Sequence, residues 1–169
     1  MAKLVLTIVG DDRAGLVRAL ADLVSDHGGN WERSELAELA GAFAGIVLVS
    51  VPDDRLDDLT AALHELDGLL HITPHPGAGA AEDVEGGRFV FTVLGNDRPG
   101  IVREVTGTLV DRGLSIDRFT SRTLDAPMAG GTLFEASVSV RVPTGVELAD
   151  VTADLERLAG EIQVDITVG

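Results

Sequence analysis

At 169 residues with 45% hydrophobic content and few aromatics, the chain has an aliphatic core to bury, which excludes a disordered protein. Its 28 acidic side chains outnumber 13 basic ones, for a net charge of −15, and the basic residues form no run; this argues against a nucleic-acid backbone or an anionic membrane surface as partner. There is no cysteine, which removes disulfides, thiolate metal sites and a cysteine nucleophile.

Met1-Ala2-Lys3 leads straight into a strand-like run with no cleavable apolar region. No apolar stretch approaches the ~20 residues needed to span a bilayer. A soluble cytoplasmic protein is expected. Residues 3–9 are apolar apart from Thr7 and fit a central strand, with Gly10 at its end. Asp11 or Asp12 is placed to cap the helix that follows. Leu16, Leu20, Leu23 and Val24 recur at helical spacing, and His27 with Gly28-Gly29 closes that helix. Residues 30–39 carry Trp31, Glu32, Arg33, Glu35 and Glu38, a composition suited to a strand with an exposed face, or to an edge. The chain turns at Ala40-Gly41-Ala42, and residues 43–51 read as an inner strand. Pro52-Asp53 starts a helix with Leu56, Leu59, Leu63 and Leu66 inward, ended by Gly68, and residues 69–73 form a short strand.

Residues 74–87 are rich in Pro, Gly, Ala and acid without periodicity, the composition of a connector. The order then repeats. Residues 88–94 are a strand; residues 99–112 are a helix with Ile101, Val102, Val105 and Leu109 inward, ended by Gly113. Residues 114–124 are a strand and residues 125–131 a loop. Residues 132–142 alternate, with Phe134, Ala136, Val138, Val140 and Val142 on one side, as expected for an antiparallel sheet backed by helices. Residues 146–159 form a helix with Leu148, Val151, Leu155 and Leu158 inward, and Ile162, Val164, Ile166 and Val168 alternate in a last strand. Each half therefore reads β-α-β-β-α-β. The predicted fold class is α+β: two ferredoxin-like domains, each a four-stranded antiparallel sheet with two helices on one face. They span residues 1–75 and 88–169 around a linker at 76–87. Domains this small are marginal alone, so docking on each other or in a homo-oligomer is expected.

The two halves share one stretch. Residues 9–17 read V-G-D-D-R-A-G-L-V and residues 93–102 read V-L-G-N-D-R-P-G-I-V; Gly10, Asp12, Arg13, Gly15, Val17 and Arg18 recur as Gly95, Asp97, Arg98, Gly100, Val102 and Arg103. It is a strand end, a tight loop and a helix start. A helix start presents unpaired N–H groups and the positive end of the dipole. Gly100 leaves room for close approach, Pro99 fixes the first turn, and Asn96 offers both a carbonyl oxygen and an amide donor. The N–H groups near Gly100 and Ile101 could take the carboxylate of an amino acid, and the Asn96 oxygen or a loop carbonyl its ammonium. The same residues also read as nothing more than a capped helix start.

The repeated G-[ND]-D-R-x-G-[IL]-V opening a βαββαβ unit resembles the ACT domain, a small-molecule regulatory module. Two in tandem resemble the glycine cleavage system transcriptional repressor family. The resemblance implies a non-enzymatic regulator that binds an amino acid through Asn96, Asp97, Pro99, Gly100 and Ile101. The matching positions of the first copy are Asp11, Asp12, Gly15 and Leu16. There Asp11 replaces Asn96 and would repel a nearby carboxylate, and Ala14 replaces Pro99, so the second copy is expected to be the better site. The resemblance further implies action on a protein partner, a transcription factor or an enzyme, without direct nucleic-acid contact. A pure interaction module without ligand, and a trans-acting regulatory subunit of an amino-acid enzyme, are the alternatives.

No cofactor, metal or catalytic residue is expected. His71 and His75 are four apart, but Pro74 and Pro76 break any helix there. Asp11-Asp12 and Asp53-Asp54 read as helix caps rather than cation ligands. Ser34, Ser50 and Ser121 lack a His and acid in a recognisable nucleophile motif. Trp31 reads as packing. The βαββαβ order also occurs in RNA-recognition modules, but those need stacking aromatics on the sheet, and this chain has no tyrosine and no basic surface.

Overall fold

The structure, a computed structural model, describes residues 1–77, 87–126, 130–162 and 164–168. The chain forms two compact units, Met1–Glu82 and Asp83–Gly169. The first runs β1 (Ala2–Asp11), α1 (Leu16–Asp26), β2 (Asn30–Leu39), β3 (Ala42–Val51), α2 (Leu56–Leu63) and β4 (His71–Pro76), with short 3-10 turns at Asp53–Arg55 and His64–Leu66 flanking α2. The second runs β5 (Arg88–Asn96), α3 (Ile101–Asp111), β6 (Ser115–Asp125), β7 (Thr132–Arg141), α4 (Leu148–Ile162) and β8 (Val164–Val168). The sheet orders are β2-β3-β1-β4 and β6-β7-β5-β8, and every pair is antiparallel. This is the expected pair of ferredoxin-like βαββαβ folds.

Period and burial agree along most elements. In the first unit Leu4, Leu6 and Ile8 of β1 pack with Val47 and Val49 of β3 under Leu16, Leu20 and Val24 of α1 and Leu59 and Leu63 of α2. Leu23, Trp31, Leu56 and Leu66 pack partly buried against that core, so Trp31 is a packing residue. In the second unit Phe89, Phe91 and Val93 of β5 and the alternating β7 residues lie under Ile101, Val105, Leu109, Val151, Leu155 and Leu158. The charged strand β2 is an edge, the second of the two places its composition allowed.

The ends of elements differ from expectation. β1 and β5 run past Gly10 and Gly95, with Asp11 opposite Ala42 and Asn96 opposite Leu133. Strand β4 lies at 71–76, not 69–73: Pro74 and Pro76 pair with Leu6 and Leu4 because an edge strand can turn their missing N–H outward. Ala42 opens β3 and does not belong to the turn, which is Ala40 and Gly41 at positive φ (53° and 84°). Helix α3 begins at Ile101, so Pro99 precedes the helix and does not form its first turn. Val102 is 41% and Leu148 46% exposed, each at a helix start where the apolar stripe has turned away from the core. Helix α4 reaches Ile162, which leaves β8 to begin at Val164. Most of the expected linker (78–86), and 127–129 of the loop at 125–131, lie outside the described residues.

A repeated feature has no signature in hydrophobic spacing. Register shifts once in β2 and once in β6, equivalent edge strands of the two sheets, leaving Glu32 and Asp117 as the extra residue of a bulge. Glu32 meets Lys3 at 3.2 Å, and hydrogen bonds first from Ser50 and then from Lys3 hold its carboxyl below its ordinary value. Asp117 meets Arg88 at 3.2 Å and Arg141 at 2.7 Å. The bulged acid thus ties the edge strand to the start of the first strand in both units.

Candidate functional site

The repeated loop has the same backbone in both units. The strand ends at Asp11 or Asn96. The next residue donates its N–H across to the neighbouring hairpin: Asp12 N to Gly41 O at 2.9 Å, and Asp97 N to Thr132 O at 2.8 Å. The chain then rises to a glycine in the left-handed region, Gly15 (φ 92°) or Gly100 (φ 92°), which is the N-cap of α1 or α3. A non-glycine residue is disfavoured at that φ, which is why the glycine recurs.

The N-cap glycine carries no side chain, and neither helix start receives a side-chain cap hydrogen bond. The expected capping by Asp11 or Asp12 is therefore corrected. The strand's extra length keeps Asp11 in the sheet, and Asp12 is held three residues ahead of the N-cap. Asp53 and Asp54 stand in the first turn of the 3-10 helix that follows Pro52, and Asp53 meets the Met1 ammonium at 2.8 Å. Each α1 and α3 start thus has backbone donors that no side chain of a cap position satisfies.

The predicted site residues divide by position. Leu16 and Ile101 are buried core side chains, so only their backbone can meet a ligand. Asp12, Gly15, Asp97, Pro99 and Gly100 are exposed in the loops. By the strand alternation Asp11 falls with Val9 and Thr7, and Asn96 with Leu94 and Thr92, on the sheet face away from the helices. The structure therefore does not bring Asn96 to the same side as the start of α3. In the first unit Asp12, Arg13, Gly15, Leu16, Val17, Arg18 and Phe43 line an open concavity of about 410 Å³.

The arginine of each loop has a different partner. Arg13 meets Asp11 at 3.6 Å. Arg98 turns over the start of α3 and grips Glu104 with both terminal nitrogens, Nη1 to Oε1 at 3.1 Å and Nη2 to Oε2. The hydrogen bond from Arg98 holds the Glu104 carboxyl below its ordinary value. Glu104 is a residue that the repeat comparison missed, because only the second copy has an acid there. An acid in the first turn of a helix was the available signal.

His64 and His71 approach Asp67 at 3.6 and 4.0 Å, and among the described residues no group of three or more His, Asp or Glu is placed to hold a metal ion. Among them, too, no helix is long and apolar enough to cross a membrane.

ACT-domain profiles match residues 2–73 and 89–160. A solved structure from Galdieria sulphuraria, described as an unknown protein, is 31% identical with a TM-score of 0.87 over 99% of this chain and 96% of its own. The chain belongs to the ACT-domain family. It holds two ACT domains in tandem, one in each unit. A provisionally assigned glycine cleavage system transcriptional repressor shares the tandem ACT fold, at 19% identity and a TM-score of 0.74 over 99% of this chain and 96% of that one. No protein of curated function matches the sequence. The ACT loops that follow β1 and β5 are thus the candidate ligand sites.

Proposed function

We propose that the protein is a non-catalytic sensor that binds an amino acid at its ACT loops and passes the bound state to a protein partner. The observation that carries this reading is the pair of helix starts at Gly15 and Gly100, whose N–H groups no side chain caps. An amino acid carries a carboxylate for such donors, and anions are stabilised there by the dipole as well. In this reading the backbone of Gly15-Leu16 and Gly100-Ile101 receives the carboxylate. Asp12 and Asp97, exposed in the same loops, receive the ammonium, with Pro99 shaping the approach. The likeness in fold to a provisionally assigned transcriptional repressor supports a transcription factor as the partner class, in the regulation of amino-acid metabolism. An amino-acid enzyme regulated in trans is the other class. With a net charge of −15 the chain acts through protein and not by gripping nucleic acid. The units act within a homo-oligomer.

Thermal unfolding of the full chain against each of the twenty amino acids tests the sensing step. A ligand present at 100 times its dissociation constant raises stability by about 2.7 kcal/mol. A shift with one or a few amino acids is the expected result. No shift with any of them at millimolar concentration overturns sensing and leaves an interaction module.

A further inference from the structure

The two sheets share a topology but not an outer face. On the side away from the helices, β1 sets Val5, Thr7 and Val9 beside Leu48, Ile46 and Ala44 of β3. In the second unit β5 keeps this pattern as Val90, Thr92 and Leu94, but their β7 neighbours are Ser139, Ser137 and Glu135. The fold therefore stands without apolar residues at those positions. An antiparallel sheet backed by helices on one side ordinarily turns polar residues to the other, as β7 does. Strand β3 is apolar on both sides, with Val47, Val49 and Val51 buried inward, and that is the pattern of a strand covered on both. Yet Val9 is 48% and Ile46 49% exposed, and Leu39, placed on the same face by its pairing with Ala42, is 80% exposed. The acids at the rim of this patch are each paired with a cation: Glu32 with Lys3 at 3.2 Å, Glu35 with Arg33 at 3.4 Å and Asp11 with Arg13 at 3.6 Å. These pairs leave the rim formally neutral in a chain of net charge −15.

We infer that the outer face of the first sheet is the contact surface of a homodimer, stacked on the same face of a second copy about a two-fold axis. A two-fold contact is self-complementary, so one patch serves both copies. Two copies meeting through a neutral rim bring Val9, Ile46 and Leu48 together without setting their acid excess face to face. Four strands about 4.8 Å apart and about 30 Å long offer roughly 600 Å² a side, so two such faces bury about 1,200 Å², the lower end of what a stable dimer needs. The second sheet of that copy is not the counterpart, because Glu135 and Arg122, joined at 2.9 Å, would lose water against Ile46. The inference rests on the homo-oligomer of the proposed function and names its surface; it is independent of whether an amino acid binds.

Sedimentation velocity on the full chain reads the association. The wild type is expected as a dimer at micromolar concentration. Ile46→Glu, at an exposed position, raises the dissociation constant at least about a hundredfold, since a two-fold contact takes the inserted charge twice. Ser137→Glu, its counterpart on the second sheet, leaves the constant unchanged. A second measurement changes nothing at the centre of the patch and decides the matter should Ile46→Glu unfold. The chain has no cysteine, so a nitroxide on Thr73→Cys, at the edge of the same face, is a unique label. Mixed with isotope-labelled wild type, it broadens the β1 and β3 amides of the partner copy before those of α1 and α2, which lie behind the sheet. A monomer at every concentration up to millimolar overturns both this inference and the homo-oligomer. A dimer unchanged by Ile46→Glu, or one whose β1 and β3 amides are spared, overturns the face and leaves the homo-oligomer standing. Stabilisation by an amino acid, read by thermal unfolding, stands or falls apart from either.

Discussion

Gly95 lies where β8 comes back against β5. A Cβ built there would sit 2.4 Å from Val164 Cγ1, and one built on Gly10 would sit 2.6 Å from the Leu69 carbonyl oxygen. The recurrence of this glycine is therefore steric: in each unit the returning chain passes too close for any side chain. Gly95→Ala should cost about 1–3 kcal/mol, the range for forcing an extra carbon into a filled space. Urea unfolding checks it, and a midpoint equal to wild type would show that Val164 yields freely. Gly15 and Gly100 recur for a different reason, a left-handed φ with open space around it. All four glycines were visible in the sequence as one repeated pattern. Their two separate causes were not, since one is a dihedral angle and the other a contact with residues far along the chain.

At the scale of elements, the second unit has a charge lock between its helices. Arg112 at the end of α3 bonds Asp154 of α4, and Arg157 adds 3.6 Å to Asp154 and 2.9 Å to Glu161. The hydrogen bond from Arg112 holds the Asp154 carboxyl below its ordinary value of 3.8. A carboxyl whose value is lower folded than unfolded contributes stability that is complete above the unfolded value and fades as pH falls through the folded one. Asp154→Asn should therefore destabilise the chain near neutral pH, and its deficit relative to wild type should shrink as pH drops below 3.8. A deficit that stays constant down to the acid transition would mean that Asp154 contributes shape and not charge. Helices, strands and their order were legible because apolar spacing is local. The lock was not, because Arg112 and Asp154 meet only when α3 and α4 pack side by side.

For the molecule as a whole, one fold was built twice with different cores. The buried core of the first unit is aliphatic, with Trp31 and Phe43 only partly buried against it; that of the second includes Phe89, Phe91 and Phe134, with the rings of Phe89 and Phe91 6.0 Å apart. Phe91 is fully buried, so Phe91→Ala should cost about 3–5 kcal/mol. Hydrogen exchange on the full chain checks this: amides of β5 to β8 should lose protection, and unchanged protection there would contradict the packing. That divergence parallels the divergence of the loops. Duplication kept the backbone, while side chains inside and at the helix starts drifted apart.

By itself the sequence determined the duplication, the βαββαβ order and most of the core, because each follows from the spacing of apolar and charged residues along a short segment. The loops could be picked out too, since glycine and acid at a strand end are local signs. Only the tertiary structure decided that no aspartate caps either helix, that Val102 and Leu148 face outward, and that Asn96 and the start of α3 lie on different sides of the sheet. It also decided that Arg98 and Glu104 meet across the turn into α3. Those outcomes depend on where a strand stops and which charges meet across a turn, and neither is written in the period of the chain.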